Sequence, residues 1–340
     1  MMENDKTGQK AVPPGKMWSY LAHFGFNSWY NWPLSQAPKD ATESFTTRCL
    51  ADHVRMDEEL WRELSVKLPQ NGVNTIVIDL AEILKYPRRP ELAVKGSWEP
   101  EKMQNEIRRL RTLGLEVVPK LNFSAAHDSW LKEYDRMLST QIYYEVCADL
   151  IKDVVEIFTV DGRPPRYFHL GYDEETHEHQ SADRYIMSIV RRGELWWHDF
   201  LWFVRQVEAA GVRAWIWSDK IWHDRETFVK RMPKTVLQSN WYYWYEFDPE
   251  KGRNIYPMVH AYDWLEEAGF EQVPTGSCLP NAPENMRQTV EYCKPLIAPS
   301  RLKGFMIASW ARTWRLHQDR LEEAMGKLSA SRSLFEGRGA

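Results

Sequence analysis

Val73–Leu80 reads VNTIVIDL, and this run decides the fold. Its β-branched side chains favour extended backbone, and its nearly unbroken apolar character marks a strand covered on both faces, as in a parallel sheet. A parallel neighbour requires a crossover, and the following residues supply one. Glu99–Leu113 carries Met103, Ile107, Leu110 and Leu113 at helical spacing, and Gly114 provides the stop. Leu115–Asn122 (LEVVPKLN) is then the next strand, which completes one β-α-β unit.

The same alternation extends in both directions. Trp18–Asn27 is predicted as the first strand, and Arg166–Gly171 (RYFHLG), Val212–Ser218 (VRAWIWS) and Thr235–Trp241 (TVLQSNW) as the fourth to sixth. Gln272–Ser277 gives a short seventh and Gly304–Trp310 (GFMIASW) the eighth. Helical patterns cover Val146–Phe158, about Asp183 to Ala210, and Gln318–Leu328. Eight strands alternating with helices predict an α/β fold, a single-domain (β/α)8 TIM barrel over 17–335, with an open doubly wound sheet as the alternative. Residues 1–16 are expected to be a flexible segment, and Lys85–Gly96 and the last ten residues to be weakly structured.

Composition narrows the function. The 340 residues are 43% hydrophobic and 27% charged, with a net charge of -4, so no positive field draws the chain to nucleic acid or an anionic membrane. No apolar run approaches the roughly 18 residues of a bilayer span, and Met1–Lys16 has no hydrophobic leader core. As written, the chain is expected to be cytoplasmic, or periplasmic or secreted had a leader been removed. Cys49, Cys147, Cys278 and Cys293 form no CxxC pair and are expected to be buried thiols. Seventeen tryptophans are too many to pass over: they fill core, or they line a site that stacks on the C–H faces of sugar rings.

In such a barrel, chemistry sits where strands end at their C-terminal rim. The strand ends here carry His23, Asn27, Asp79, Glu82, Asn122, His127, His169, Asp173, Glu174, Asp219 and Thr313, among Trp217, Trp241, Tyr242, Tyr243 and Trp310. Carboxylates among tryptophans suit glycoside cleavage: an acid for the leaving oxygen, charge for an oxocarbenium-like transition state, aromatic walls for the ring. Adjacent Asp173 and Glu174 cannot both ionise cheaply after a buried strand, which divides labour between them. The bland reading is that Asp173, Glu174 and Glu175 cap the next helix.

The segment His169-Leu-Gly-Tyr-Asp173-Glu174 resembles the His-x-Gly-Gly-Asp-Glu motif of the glycoside hydrolase family 20 β-N-acetylhexosaminidases. LEVVPKLNFSAAH resembles that family's strand-three signature, WIWSDKIW its Trp-Asp-Glu strand five, and ASWARTW its strand-eight tryptophan. The matches run in order from about residue 70 to 315. The resemblance implies removal of a β-linked N-acetylhexosamine by substrate-assisted retention, in which the sugar's own acetamido oxygen attacks the anomeric carbon. Glu174 would be the general acid and then the base, and Asp173 would hold the acetamido N–H. His127 and His169 would orient the pair, Trp217, Trp241 and Trp310 would wall the pocket, and Asp79, Asp219 and Tyr243 would complete the substrate site. No cofactor is implied, and the partner is a carbohydrate bearing a 2-acetamido sugar.

Departures from the family pattern are equally specific. Tyr172 replaces the second motif glycine, and strand one (SYLAHFGFNSW) lacks the arginine that clamps the sugar hydroxyls. Lys120 and Asn122 stand where acids are usual, and only Tyr242 or Tyr243 could replace the missing strand-seven tyrosine. These departures keep open a second reading, a barrel that binds glycans without cleaving them. A metal site is not expected, since His177 and His179 point apart if helical and Thr176–Gln180 reads as a solvated turn. The pairs Arg88-Arg89 and Arg191-Arg192 likewise read as solvated faces.

Overall fold

The computed structural model describes residues 15–180, 185, 187–251 and 255–337. Its strands are β1 (Met17–His23), β2 (Thr75–Asp79), β3 (Glu116–Lys120), β4 (Tyr167–His169), β5 (Arg213–Trp217), β6 (Leu237–Ser239), β7 (Thr275–Gly276) and β8 (Gly304–Arg312). The pairings between these strands are all parallel, in the order β6-β5-β4-β3-β2-β1-β8-β7. The two ends of this order also meet. The Val273 N–H donates to the Gln238 carbonyl at 2.8 Å and the Thr275 N–H to that of Asn240 at 2.9 Å, so the sheet closes and the open alternative is excluded. The fold is a (β/α)8 barrel.

Strand periodicity sorts the side chains into two cores. Ile76 and Ile78 of β2 face the helices, whereas Val77 points inward and meets Leu21 and Val118 in one interior layer. Two residues further along, the register aligns His23, Asp79, Lys120 and His169 into a buried polar layer directly beneath the C-terminal rim. The tryptophans divide the same way: Trp61, Trp98, Trp130 and Trp196 pack under helices, while Trp215 and Trp217 fill the barrel interior.

Four expectations are corrected, the fourth being the last ten residues, which are helical as far as Glu336. The helix predicted from Asp183 is Glu194–Ala209; part of 183–193 lies outside the described residues, and 187–193 are not helical. The cause is Arg191, whose backbone N–H and guanidinium are both held by Glu175, followed by Gly193 at φ 52°. Arg191 is fully buried on Glu175 and Asp199, so it is not part of a solvated face. Lys85–Gly96 is also well anchored, through buried Tyr86 and the pairing of Arg88 and Arg89 with Asp153, Glu156 and Asp149. The last helix runs Gln318–Glu336 and ends on left-handed Gly337. The predicted flexible segment 1–16 lies outside the described residues except for its last two. All four cysteines are buried and free.

Candidate active site

After β4 the chain makes a tight run of left-handed residues: Gly171 (φ 68°), Tyr172 (φ 72°) and Glu174 (φ 53°). Gly171 is required, because a Cβ there would lie 2.1 Å from Asn122 Oδ1. That oxygen accepts from the Tyr172 and Ser124 backbone N–H groups at 3.1 and 3.0 Å, while Asn122 Nδ2 donates to Asp173 Oδ1 at 2.8 Å. Asn122 therefore fixes the turn and one carboxylate together. Tyr172 takes the dihedral a glycine would take, at a cost of about 1–3 kcal/mol. Its ring turns away from the rim and packs edge-on against Trp196, Phe200 and Phe203, under the Arg191 guanidinium. Burying such a ring returns roughly 1.5–3 kcal/mol, enough to hold the turn.

The three consecutive acids have three different surroundings. Asp173 is buried; Glu175 is sealed under Arg191; Glu174 is about one-third exposed. His127 Nε2 lies 3.2 Å from Glu174 Oε2 and 3.5 Å from Asp173 Oδ2, bridging the two. Asp219, at the end of β5, accepts the Glu174 backbone N–H at 2.9 Å. Burial pushes the Asp173 carboxyl up, with His127 opposing and Glu174 reinforcing. Burial, reinforced by the charge of Asp173, pushes Asp219 up to about 8. His127 is raised as well: burial alone would lower it, but the charges of Asp173 and Glu174 prevail.

A cavity of about 290 Å³ opens beside this cluster. Asp173, Glu174 and His127 line it together with Trp241, Tyr243 and Trp310. Trp241 and Tyr243 stack at 5.1 Å and 19°, and Tyr243 meets Trp310 at 5.9 Å. Trp310 reaches the cavity through a bulge: between the pairs Leu21–Ala308 and His23–Arg312, β8 carries two more residues than β1, and Trp310 sits at φ 51°. Tyr242 instead donates its hydroxyl to the Glu246 carbonyl, so Tyr243 is the tyrosine that faces the site.

Not every predicted residue joins the cavity wall. His169 lies in the polar layer below, where its Nδ1 accepts the Gly171 N–H at 3.0 Å and it packs between Trp215 and Trp217. It supports the turn and does not touch the carboxylates. Asp79 is clamped by Lys120 Nζ at 2.8 Å and His23 Nδ1 at 3.1 Å; burial opposes ionisation, but Lys120 and then His23 hold the carboxyl well below the usual range. Trp217 sits beneath Trp310, with ring centres 6.3 Å apart.

Several residues join that were not expected, three of them basic. The Thr176–Gln180 segment is a turn exposed at His177 and Glu178, but His179 is half-buried and puts its Nδ1 3.2 Å from Glu174 Oε2. One ligand atom each of His127, Glu174 and His179 lies within 4.8 Å of the others, a set able to hold a divalent cation. Arg48 and Arg312 complete the cavity wall. Arg312 had a signal: it lies two residues after Trp310, the spacing that shares a strand face. Arg48 comes from the long loop after β1, where no periodicity exists to read.

A (β/α)8 barrel with carboxylates and tryptophans at its C-terminal rim is the architecture of many glycosidases, and comparison with solved structures is more particular. The fold is similar to that of solved family 20 β-N-acetylhexosaminidases. The exo-β-N-acetylglucosaminidase of Vibrio harveyi, solved with N-acetylglucosamine, superimposes with a TM-score of 0.58 over 95% of this chain and 57% of its own, at 12% identity. The β-N-acetylhexosaminidase of Streptomyces coelicolor gives 0.57 over 93% and 64%, also at 12% identity. That of Bacteroides fragilis gives 0.57 over 92% and 65%, at 13% identity. The chain thus spans about three-fifths of the length of these structures. No family model and no curated protein matches the sequence. No described helix is long and apolar enough to cross a membrane.

Proposed function

We propose that this protein is a glycoside hydrolase that removes β-linked N-acetylhexosamine by substrate-assisted retention. The observation that carries this reading is the unlike pair at the end of β4: buried Asp173, fixed by Asn122, beside partly exposed Glu174 in a tryptophan-walled cavity. Glu174 is accessible to a leaving oxygen and then to water, and acts as acid and base in turn. Asp173 is held rigidly enough to accept the acetamido N–H and to stabilise the positive charge that develops as the amide oxygen attacks. Tyr243 offers its hydroxyl to the acetamido carbonyl. Asp219, neutral below about pH 8, steadies Glu174 through its backbone without adding a third negative charge. The acetylglucosamine held by the Vibrio harveyi enzyme is consistent with this substrate class.

The rival reading, a barrel that binds glycans without cleaving them, rests on Tyr172 and the missing strand-one arginine. Tyr172 leaves the cavity free, and Arg312, paired in register with His23 of β1, brings a guanidinium to the same side. The test is release of 4-nitrophenol from its β-GlcNAc, β-GalNAc and β-glucose glycosides by the wild type and by Glu174→Gln. Cleavage confined to the acetamido sugars, with at least about a 10³-fold loss in the variant, is expected. Equal cleavage of the glucoside would remove the substrate-assisted mechanism, and an active Glu174→Gln would remove Glu174 from its role.

A further inference from the structure

The cavity is lined by charge of both signs. Its wall carries an acidic set, Asp173 and Glu174, and a basic set, Arg48 and Arg312. Among the described residues, the cations nearest the acidic set are matched: Lys120 by Asp79, and His127 by Asp173 and Glu174. The arginines are not. Arg312 is 8% exposed, its guanidinium lies over the Trp29 ring at 4.6 Å, and no described residue accepts a hydrogen bond from it. Arg48 donates to the Tyr30 hydroxyl at 3.3 Å, and no described carboxylate lies within 4 Å of either guanidinium. Arg55, close behind, donates through its two terminal nitrogens to the Thr46 and Cys49 carbonyls and to Asn27, and only its Nε is left without a partner. The acid whose charge reaches Arg312 is Glu82, and both its oxygens already accept backbone N–H groups, from Phe26 at 2.7 Å and Asn27 at 3.0 Å. Burial, and then the like charges of Arg48 and Arg55, bring Arg312 down to about 9.

Burying a guanidinium without a counter-ion costs several kcal/mol, and a bound anion would supply the missing charge. A neutral sugar's hydroxyls would fill hydrogen bonds but leave the charge uncompensated. We infer that the sugar bound here is anionic: a 2-acetamido hexose carrying a sulfate ester, or joined to a uronate, whose acidic group is held by Arg312 and Arg48. The volume, at the small end of ligand sites, favours the group on the bound sugar itself. This inference rests on the hexosaminidase reading for the acetamido end and on the two arginines alone for the anionic end.

The two ends can be tested separately by isothermal titration calorimetry of the wild type, Arg312→Gln and Arg48→Gln. The probes are GlcNAc, GlcNAc 6-sulfate, GlcNAc 3-sulfate, the glucuronosyl-GlcNAc disaccharide and glucose 6-sulfate. At least one anionic acetamido sugar should bind about tenfold or more tighter than GlcNAc, the scale of one charge-assisted hydrogen bond. The preference should shrink with salt and fall below about threefold in Arg312→Gln. A sulfated winner places the acid on the bound sugar, and the disaccharide places it on a neighbour. Glucose 6-sulfate binding as well as GlcNAc 6-sulfate would retain the anion site and remove the acetamido reading. GlcNAc binding as tightly as every anionic sugar, or a preference unchanged in both variants, would overturn the inference and leave the arginines as hydroxyl clamps.

Discussion

The carboxylates at the ends of β2 and β4 sit one layer apart in the same barrel and are treated in opposite ways. Asp79, in the lower polar layer, has a lysine at 2.8 Å and a histidine at 3.1 Å, and its carboxyl is held well below its ordinary range. Asp173, at the rim, is pushed up by burial and by Glu174 beside it, and His127, then Lys120 and the Asn122 amide, offset this only in part. Both are buried, so burial does not distinguish them. Partners do. The lower layer is neutralised internally and serves the fold, whereas the rim keeps charge crowded, as a site that must move a proton near neutral pH requires.

The contrast is broken most severely from below. Lys120→Met leaves Asp79 as a buried acid with only His23 beside it, an imidazole that burial lowers. Stability should fall by about 3–5 kcal/mol in urea denaturation, and the further change Asp79→Asn should restore much of it. A loss under about 1 kcal/mol would mean that the lower layer is not the structural pair described. At the rim the signs reverse. Asp173→Asn relieves crowding, so stability should hold or rise, while kcat on an acetamido glycoside should fall about 10²- to 10³-fold, as when a single transition-state contact is removed. Reduced stability with intact turnover would assign Asp173 to the fold instead.

How much of this contrast can be read in the sequence depends on range. The strands were legible because β-branched apolar runs such as TIVID must be extended and doubly covered, and the polar strand ends followed from counting along them. Asp173, Glu174, Trp241 and Tyr243 reach the cavity as their strand positions imply, and Trp310 does so through its bulge. Direction within a strand end was not legible. His169 and Asp79 face inward one layer lower, because the relative offset of neighbouring strands is set by barrel register, a long-range property. The fate of Tyr172 depends on a pocket built by Trp196, Phe200 and Phe203, and that of Arg191 on Glu175, contacts that no local pattern announces. β7 is only Thr275–Gly276, held otherwise by isolated bridges, so its sequence carries little alternation.

Asp219 sharpens the comparison through pH. Its carboxyl has an ordinary value near 3.8 and is raised to about 8 in the fold by burial and by Asp173. Between those values the native state keeps a proton that the unfolded chain releases, so raising the pH through this window favours unfolding. The contribution is complete below about pH 4 and is lost once pH passes about 8. The amide introduced by Asp219→Asn would carry no titrating proton, yet its carbonyl could still accept the Glu174 N–H. That variant should therefore gain on the wild type by a few degrees in Tm between pH 5 and pH 8, with the gap widening as pH rises. Asp79 predicts the opposite slope: its lowered carboxyl contributes stability above its ordinary value that is lost only on acidification, so Asp79→Asn should show no such gain over this range. Parallel Tm profiles for Asp219→Asn and the wild type would show that the rim carries no buried proton, and the distinction between the two layers would then rest on geometry alone.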